Sequence, residues 1–389
     1  MTLEQAEKMV ESVPLPKAKD DIILEILLRF PVKSLLRCKS VCKSWRSLIS
    51  NPLFIKSHLK LSSTNIAHHR LIFTYNKEKN LRTCPLDDIV FEKSVVNSLD
   101  QVCPSDGRWK SGYAFPLKII GSCNGLVCIV FFRSEGNILF IWNPSTKIST
   151  RLYSTFDMSP PPAGKENVVY GFAYDKATDD YKIVAVSLCD QNKVIMYSLK
   201  TRNWKQIGDF PNGYPVNMSG VFSNGFLHWM ATPTPREYNE PIYLCTIVSL
   251  DLDNKTHGEV SQPMYDEDGK VGTLGALGEW LCVLCDYRVT CADLWVMKVY
   301  GVEDSWTRLA SITYPADISS PYYDWPLFIG KDGTILLHSG WNLVVCNTND
   351  GSFSNIKKFG RCTTNATIFV ESLVSPYPQN SPGSTFCSL

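Results

Sequence analysis

The chain has 389 residues, 44% of them hydrophobic and 12% aromatic, a composition that builds packed cores and excludes an intrinsically disordered protein. With 39 Lys and Arg against 38 Asp and Glu the net charge is +1, so the bulk charge makes no case for a nucleic-acid or acidic-membrane partner. The charge is uneven, however: residues 1–60 hold eleven Lys and Arg against six Asp and Glu, an excess of +5, while the remainder carries 28 against 32, an excess of −4.

The opening "MTLEQAEKMVESV" has no apolar stretch behind a basic start, and no run approaches the roughly 18 consecutive apolar residues of a membrane span. The expectation is a soluble protein of the cytoplasm, the nucleus or both. Its 14 cysteines are scattered without paired spacing, which predicts free, mostly buried thiols. The sequons at Asn217, Asn254 and Asn365 are then expected to stay unmodified, and the closing "CSL" is not a prenylation box.

Residues 14–61 have a helical period. Asp20 is placed to cap a helix in which Ile22 and Ile26, and Ile23, Leu27 and Phe30, recur at spacings of three and four, and Pro31 ends it. Leu35, Leu36 and Cys38 predict a second helix, and Cys42, Trp45, Leu48 and Ile49 a third. "NPLFIKSHL" predicts a fourth, with Asn51 as cap and Pro52 in the first turn. A module this small buries little of its surface, and its apolar residues are not confined to one stripe per helix. Something must cover a second face, either the large domain behind it or another protein.

"LP" at Leu15 and Pro16, "DDIILEILLRFPVKSLLRCKSVCKSWRSLIS" from Asp20 and then "NPLFIKSHL" resemble an F-box over its whole length. The difference is "KAK", Lys17 to Lys19, standing between Leu-Pro and the acidic pair. The resemblance implies that Leu15, Pro16, Ile22, Ile23, Ile26, Leu27, Pro31, Leu35, Val41, Cys42 and Trp45 form the surface that docks on a Skp-family adaptor, some of them also holding the helices together. Apolar residues would then supply the affinity, while Lys33, Arg37, Lys39, Lys43 and Arg46 steer an acidic partner.

Beyond residue 62 the pattern alternates with period two between turn signals, and it repeats. Five units of four short runs lie between residues 115 and 360. Equivalent positions at the end of the third run (Trp142, Tyr197, Leu250, Val299 and Cys346) are 55, 53, 49 and 47 residues apart. Four-stranded units at that period predict a β-propeller. "TNATIFVESL" reads as one more innermost strand. "RLIFTY", "LRTCPL" and "IVFEKSVV" near the start read as its three partners, which closes a six-bladed ring; seven blades stay open if residues 97–115 hold another unit. The organisation expected is a flexible tail at 1–13, a helical module of three to four helices at 14–61, an all-β domain at 62–376 and a second tail at 377–389.

"GSCNGLVCI", "IWNPST", "YGFAYDKATDDYKIV", "IMYSLKTRNW", "NGFLHW" and "FVESLV" resemble the F-box-associated (kelch-like) domain of plant F-box proteins, a family that includes S-locus F-box proteins and immune regulators. The two resemblances together imply a substrate receptor of an SCF-type ubiquitin ligase. Its adaptor would bring a cullin and a RING subunit, and its propeller would present a protein target for ubiquitination and proteasomal degradation. A non-ligase scaffold, a propeller enzyme and a glycan binder are the alternatives.

In an antiparallel blade the first and third turns share one rim, and the second turn and the blade-to-blade connection share the other. The long connections at residues 105–113, 157–167, 232–241, 263–272 and 315–325 all fall on the second rim. Loops on a regular scaffold are where recognition sits. The candidate target-binding residues are therefore Trp109, Tyr113, Tyr238, Tyr265, Tyr322 and Tyr323 as aromatic anchors, with Asp266 and Glu267 favouring a basic patch on the ligand. Cys282 and Cys285 form C-x-x-C inside the strand-like "WLCVLC" with no second pair at zinc spacing, and read as structural cysteines. "GTLGALG" has neither phosphate-loop spacing and reads as an innermost strand crowded at the axis; His68 and His69 read as surface residues. No catalytic residue, cofactor or metal is expected.

Overall fold

The computed structural model describes residues 17–75, 81–91, 99–101, 104, 117–132, 136–153, 168–188, 192–211, 213–216, 219–233, 245–265, 271–287, 291–313, 325–339, 342–349, 353–355 and 363–377. Four helices come first: α1 Lys17–Leu28, α2 Val32–Cys38, α3 Lys43–Ile49 and α4 Pro52–Ser63. Helix α1 starts at Lys17, so Asp20 lies inside it and is not its cap. Lys and Ala are good helix formers, and "KAK" extends the helix by nearly a turn. Cys42 caps α3, its sulfur accepting the Trp45 N–H at 3.4 Å. Asn51 caps α4, with Oδ1 accepting from Leu53 N at 2.8 Å and Pro52 in the first turn. Leu27, Leu28, Val32, Leu35, Ile49 and Phe54 form the core among them.

The rest is β-structure. Innermost strand first, the described strands follow one another in six antiparallel runs of four; two neighbouring runs merge into a nine-stranded sheet, because Ser219–Ser223 pairs in parallel with Val168–Asp175 and the short strand Tyr214–Pro215 pairs with Phe226–Thr232. The first is Thr363–Val370, His69–Tyr75, Leu81–Pro85 and Leu99–Gln101, so the two ends of the β region share one sheet. Four units follow in chain order, each with consecutive strands: from Leu117–Cys123 to Ile148–Tyr153, from Val168–Asp175 to Asn203–Asp209, from Ser219–Ser223 to His257–Val260 and from Val271–Leu277 to Trp306–Thr313. The sixth runs from Trp325–Ile329 to Phe353–Asn355. Each innermost strand touches the next around the axis, and Thr363–Val370 touches both Trp325–Ile329 and Leu117–Cys123. Asn365 helps to join the ends: its Oδ1 accepts from Ile119 N at 2.7 Å.

Strands Leu126–Phe131 and Ile138–Asn143 are buried at every position, because blades stack face to face and cover both sides of a sheet. Close approach at the axis needs glycine. A Cβ on Gly220 would come within 2.6 Å of the Trp229 ring, itself fully buried. In the first unit Leu99–Gln101 is the strand paired with Leu81–Pro85, and the start of "IVFEKSVV" falls in a short helix, α5, Leu86–Val90, while its residues 92–96 lie outside the described residues. Pro85 stops the strand and Asp87 and Asp88 favour the first turn of a helix, a local signal that outweighs the alternation read from the sequence. Val299 lies two residues past strand Cys291–Met297, in an exposed turn rather than at a strand end. Leu99–Gln101 accounts for part of the 97–115 stretch, and residues 105–115 lie outside the described residues.

Candidate functional site

The helical module has two unlike sides. On one, Ile22 is 59% exposed, Ile26 50% and Val41 65%, with Pro31 and Cys42 also exposed. Ile23 and Trp45 are half-buried beside them and pack onto the core. Leu27 and Leu35, expected in the same docking set, are fully buried and hold the helices together. Leu15 and Pro16 lie outside the described residues. Lys33, Arg37, Lys43 and Arg46 are exposed, and Arg46 Nε donates to Lys39 O at 3.2 Å. Lys39 is half-buried; burial first, and then the Arg46 charge, pull its ammonium below the ordinary lysine range.

The other side rests on the propeller. Helix α4 contacts the innermost strand Thr363–Val370, and Leu373, just beyond that strand, is 5% exposed within the helical core. Lys56 Nζ bonds Asp179 Oδ2 at 2.8 Å, in the first turn of the third unit, where Tyr174 donates to the other Asp179 oxygen. Those hydrogen bonds hold the Asp179 carboxyl below the usual range. His58 Nε2 donates to Phe30 O at 2.9 Å and its ring packs edge-on to His68. His68 and His69 are therefore not surface residues. They are half-buried where α4 meets the propeller, and burial lowers the pKa of all three imidazoles.

These contacts put the helices on the rim that carries the first and third turns of the blades. The second turns and blade-to-blade connections lie on the opposite rim. Of the residues expected to read a ligand there, Trp109, Tyr113, Tyr238, Asp266, Glu267, Tyr322 and Tyr323 lie outside the described residues. Tyr265 is described and is half-buried: it packs against the cluster holding Met230, Cys245 and Ile247, and its hydroxyl donates to Gln262 Oε1 at 3.1 Å. Burial pushes its phenol pKa far up.

Along the axis the innermost strands enclose a cavity of about 770 Å³, lined by neutral residues that include Ser122, Phe172, Thr273, Trp325 and Asn365, with Ser63 and His69 at the helical end. "GTLGALG" does form one of these strands, Val271–Leu277. Cys282 and Cys285 are buried in the strand beside it, and burial raises both thiols out of the reactive range. Sequence reasoning missed Leu373, Lys56 and Asp179. The apolar pair in "ESLV" after the last strand was the available signal, since a solvated tail has no use for it.

The pattern of the F-box domain matches residues 20–57, and that of the F-box associated beta propeller domain matches residues 44–376. The chain belongs to this family of F-box proteins with an F-box associated propeller. It is 33% identical over 373 residues to the F-box/kelch-repeat protein At3g23880 of Arabidopsis thaliana, covering 92% of this chain and 95% of that protein. With F-box protein CPR1 of Arabidopsis thaliana the identity is 30% over 338 residues, covering 80% of this chain and 77% of the relative. Among solved structures, the β-propeller domain of the Trilobed protease from Pyrococcus furiosus matches at 9% identity and a TM-score of 0.39, over 75% of this chain and 79% of that one.

Proposed function

We propose that the chain is the substrate-recognition subunit of an SCF-type ubiquitin ligase acting in the cytoplasm, the nucleus or both. The helical module docks on a Skp-family adaptor, through it a cullin and RING subunit join, and the six-bladed propeller holds a target protein for ubiquitination. The observation that carries this reading is the exposure of Ile22, Ile26 and Val41 on a module whose opposite side is already occupied by the propeller. The module does pack on the large domain, but with its other face, so the apolar side stays open to a partner. Family membership supports the same partner class. The exposed cations at Lys33, Arg37, Lys43 and Arg46 suit an acidic adaptor and set its approach.

On this reading the chain performs no covalent step. Its contribution is proximity: it holds a target lysine near the charged conjugating enzyme and makes transfer effectively intramolecular. The target is read on the rim away from the F-box, and the sequence order of the connections bearing Trp109, Tyr113, Tyr238, Tyr322 and Tyr323 supports that assignment.

Coexpression with a Skp-family adaptor followed by size-exclusion chromatography tests the reading. Wild type is expected to coelute stoichiometrically, and Ile22→Arg with Ile26→Arg to elute alone as a folded protein. Wild type eluting alone sinks the adaptor reading. Coelution with the adaptor but not with a cullin favours the non-ligase scaffold.

A further inference from the structure

The last innermost strand does not end in a free tail. Immediately after Val370 the chain crosses between the propeller and the helices, and nearly every residue of the crossing is held. Glu371 N donates to His68 O at 2.8 Å, and the Glu371 carboxylate pairs with Arg70 at 3.4 Å with both side chains mostly buried. Ser372 Oγ donates to Asn124 O at 3.0 Å. Asn143 Nδ2 donates to Ser372 O at 3.0 Å and to Val374 O at 2.7 Å. Tyr377 Oη donates to Ser149 O at 2.9 Å. The fit is tight at Gly125, where the backbone has φ +81° and a Cβ would collide with Ser372 and with Val370 O. Between these anchors Leu373 turns the other way, into the core formed by Leu27, Leu35, Ile49 and Phe54.

Beyond the seat of α4 on Thr363–Val370 and His68, the helices are gripped at two separated points: through Leu373 over the second unit, and through Lys56 and Asp179 over the third. The seat alone would leave room to rock, and the two grips remove it. We propose that residues 371–377 are a strap that fixes the F-box in one orientation on the propeller, with Leu373 and Asn143 as positioning residues that set where a bound target lies relative to the conjugating enzyme. The strap is a property of this chain alone; its consequence for transfer rests on the receptor reading above. The segment couples two events as well, because the strand that closes the ring delivers Leu373 to the helices. The F-box core is completed only when the ring has closed.

Two readouts test this in the full chain. Spin labels carried by non-natural residues at exposed Ser47 and Lys205 report the orientation by pulsed dipolar spectroscopy, with no adaptor or ligase present. Wild type is expected to give one narrow distance distribution, and Leu373→Asp to widen it roughly twofold through local release of the helices. Leu373→Met, which keeps the volume, should restore the wild-type width. Should Leu373→Asp fail to fold, Asn143→Ala combined with Lys56→Glu decides, since it loosens both grips without entering the helical core. An unchanged width in this double variant overturns the strap.

The second readout is the set of the chain's own lysines modified in a reconstituted complex with adaptor, cullin, RING subunit and charged conjugating enzyme, mapped by mass spectrometry. The double variant should keep its adaptor affinity and modify a broader set. An identical set overturns the positioning role. If the wild type binds no adaptor, the receptor reading fails while the spin-label result stands.

Discussion

Side chains of similar composition meet opposite fates in the two parts of this molecule. In the propeller the sheets stack on both faces, so strands such as Leu126–Phe131 and Ile138–Asn143 bury every residue, and Trp142, Trp229, Tyr170 and Phe172 are enclosed. In the helical module the same kinds of residue are divided: Leu27, Leu35 and Ile49 are fully buried, while Ile22, Ile26 and Val41 stand in solvent. The difference follows from geometry. A closed ring supplies every blade with two neighbours, whereas a helical module of under fifty residues has one neighbour and keeps a face to spare. Apolar exposure in the blades falls mostly at turns and connections, as at Val299, Val302 and Met264, whereas in the module Ile22 and Ile26 are exposed on a helix.

The contrast breaks first, and by the largest amount, at the propeller interior. Trp229 packs edge-on against Phe210 at 5.8 Å and fills the space that Gly220 leaves. Trp229→Ala should cost about 3–5 kcal/mol in denaturant unfolding. Trp229→Phe should cost clearly less, because the buried indole N–H has no hydrogen-bond partner to lose. Equal losses for the two would mean that the indole makes a specific contribution beyond volume.

Acid attacks the same interior. His228 is fully buried, with Nδ1 donating to Val221 O at 3.1 Å and Nε2 accepting from the Tyr300 hydroxyl at 2.8 Å, an arrangement that needs the neutral ring. Burial first, opposed by the bond to Val221, brings its pKa down to about 4. A folded pKa below the unfolded value of roughly 6.5 leaves stability intact above that pH and removes it as the pH falls toward 4, by about 2 kcal/mol at pH 5 from this residue. Urea titrations of wild type and His228→Gln at pH 7 and pH 5 measure it, the pH-dependent loss being smaller in the variant. The imidazoles of His58, His68 and His69 are also lowered by burial, so the junction between helices and propeller weakens in the same direction.

A smaller effect sits at the helix α4 cap. Asn51→Ala removes the 2.8 Å bond to Leu53 N and should cost about 1 kcal/mol, with hydrogen exchange accelerated at the start of α4 more than in any blade.

How much of this could be read in advance differs between the two regions. The repeat was legible because each blade repeats a turn signal and a pattern of apolar runs: Asn124-Gly125 and Asn224-Gly225 have both residues at positive φ, as two-residue hairpins require. Local patterns failed where a local competitor existed, as at Leu86–Val90, where a proline and two aspartates start a helix inside a stretch that alternates like a strand. The helix positions were legible too, but not the division of the docking set. Ile26 and Leu27 are adjacent, and periodicity gives the angle between them without saying which side the propeller takes. That depends on Leu373, more than three hundred residues away, and no local signal carries such a contact.

The division matters most for the smallest predicted change. A sequence-based choice of Leu27 as an adaptor-binding probe would remove a fully buried side chain, and Leu27→Ala should cost about 2–5 kcal/mol of folding free energy. Its loss of adaptor binding would then say nothing about contact. Ile22→Ala, Ile26→Ala and Val41→Ala, each at a side chain half or more exposed, should leave the unfolding midpoint within about 0.5 kcal/mol of wild type. Adaptor affinity should nonetheless fall, because on a docked surface these are the groups that leave water, and a central one costs upward of about 2 kcal/mol when truncated. Calorimetric titration of the adaptor against each variant, beside its denaturation curve, separates the two quantities. A variant that loses stability and affinity in proportion belongs to the core, and one that loses affinity alone lies on the interface.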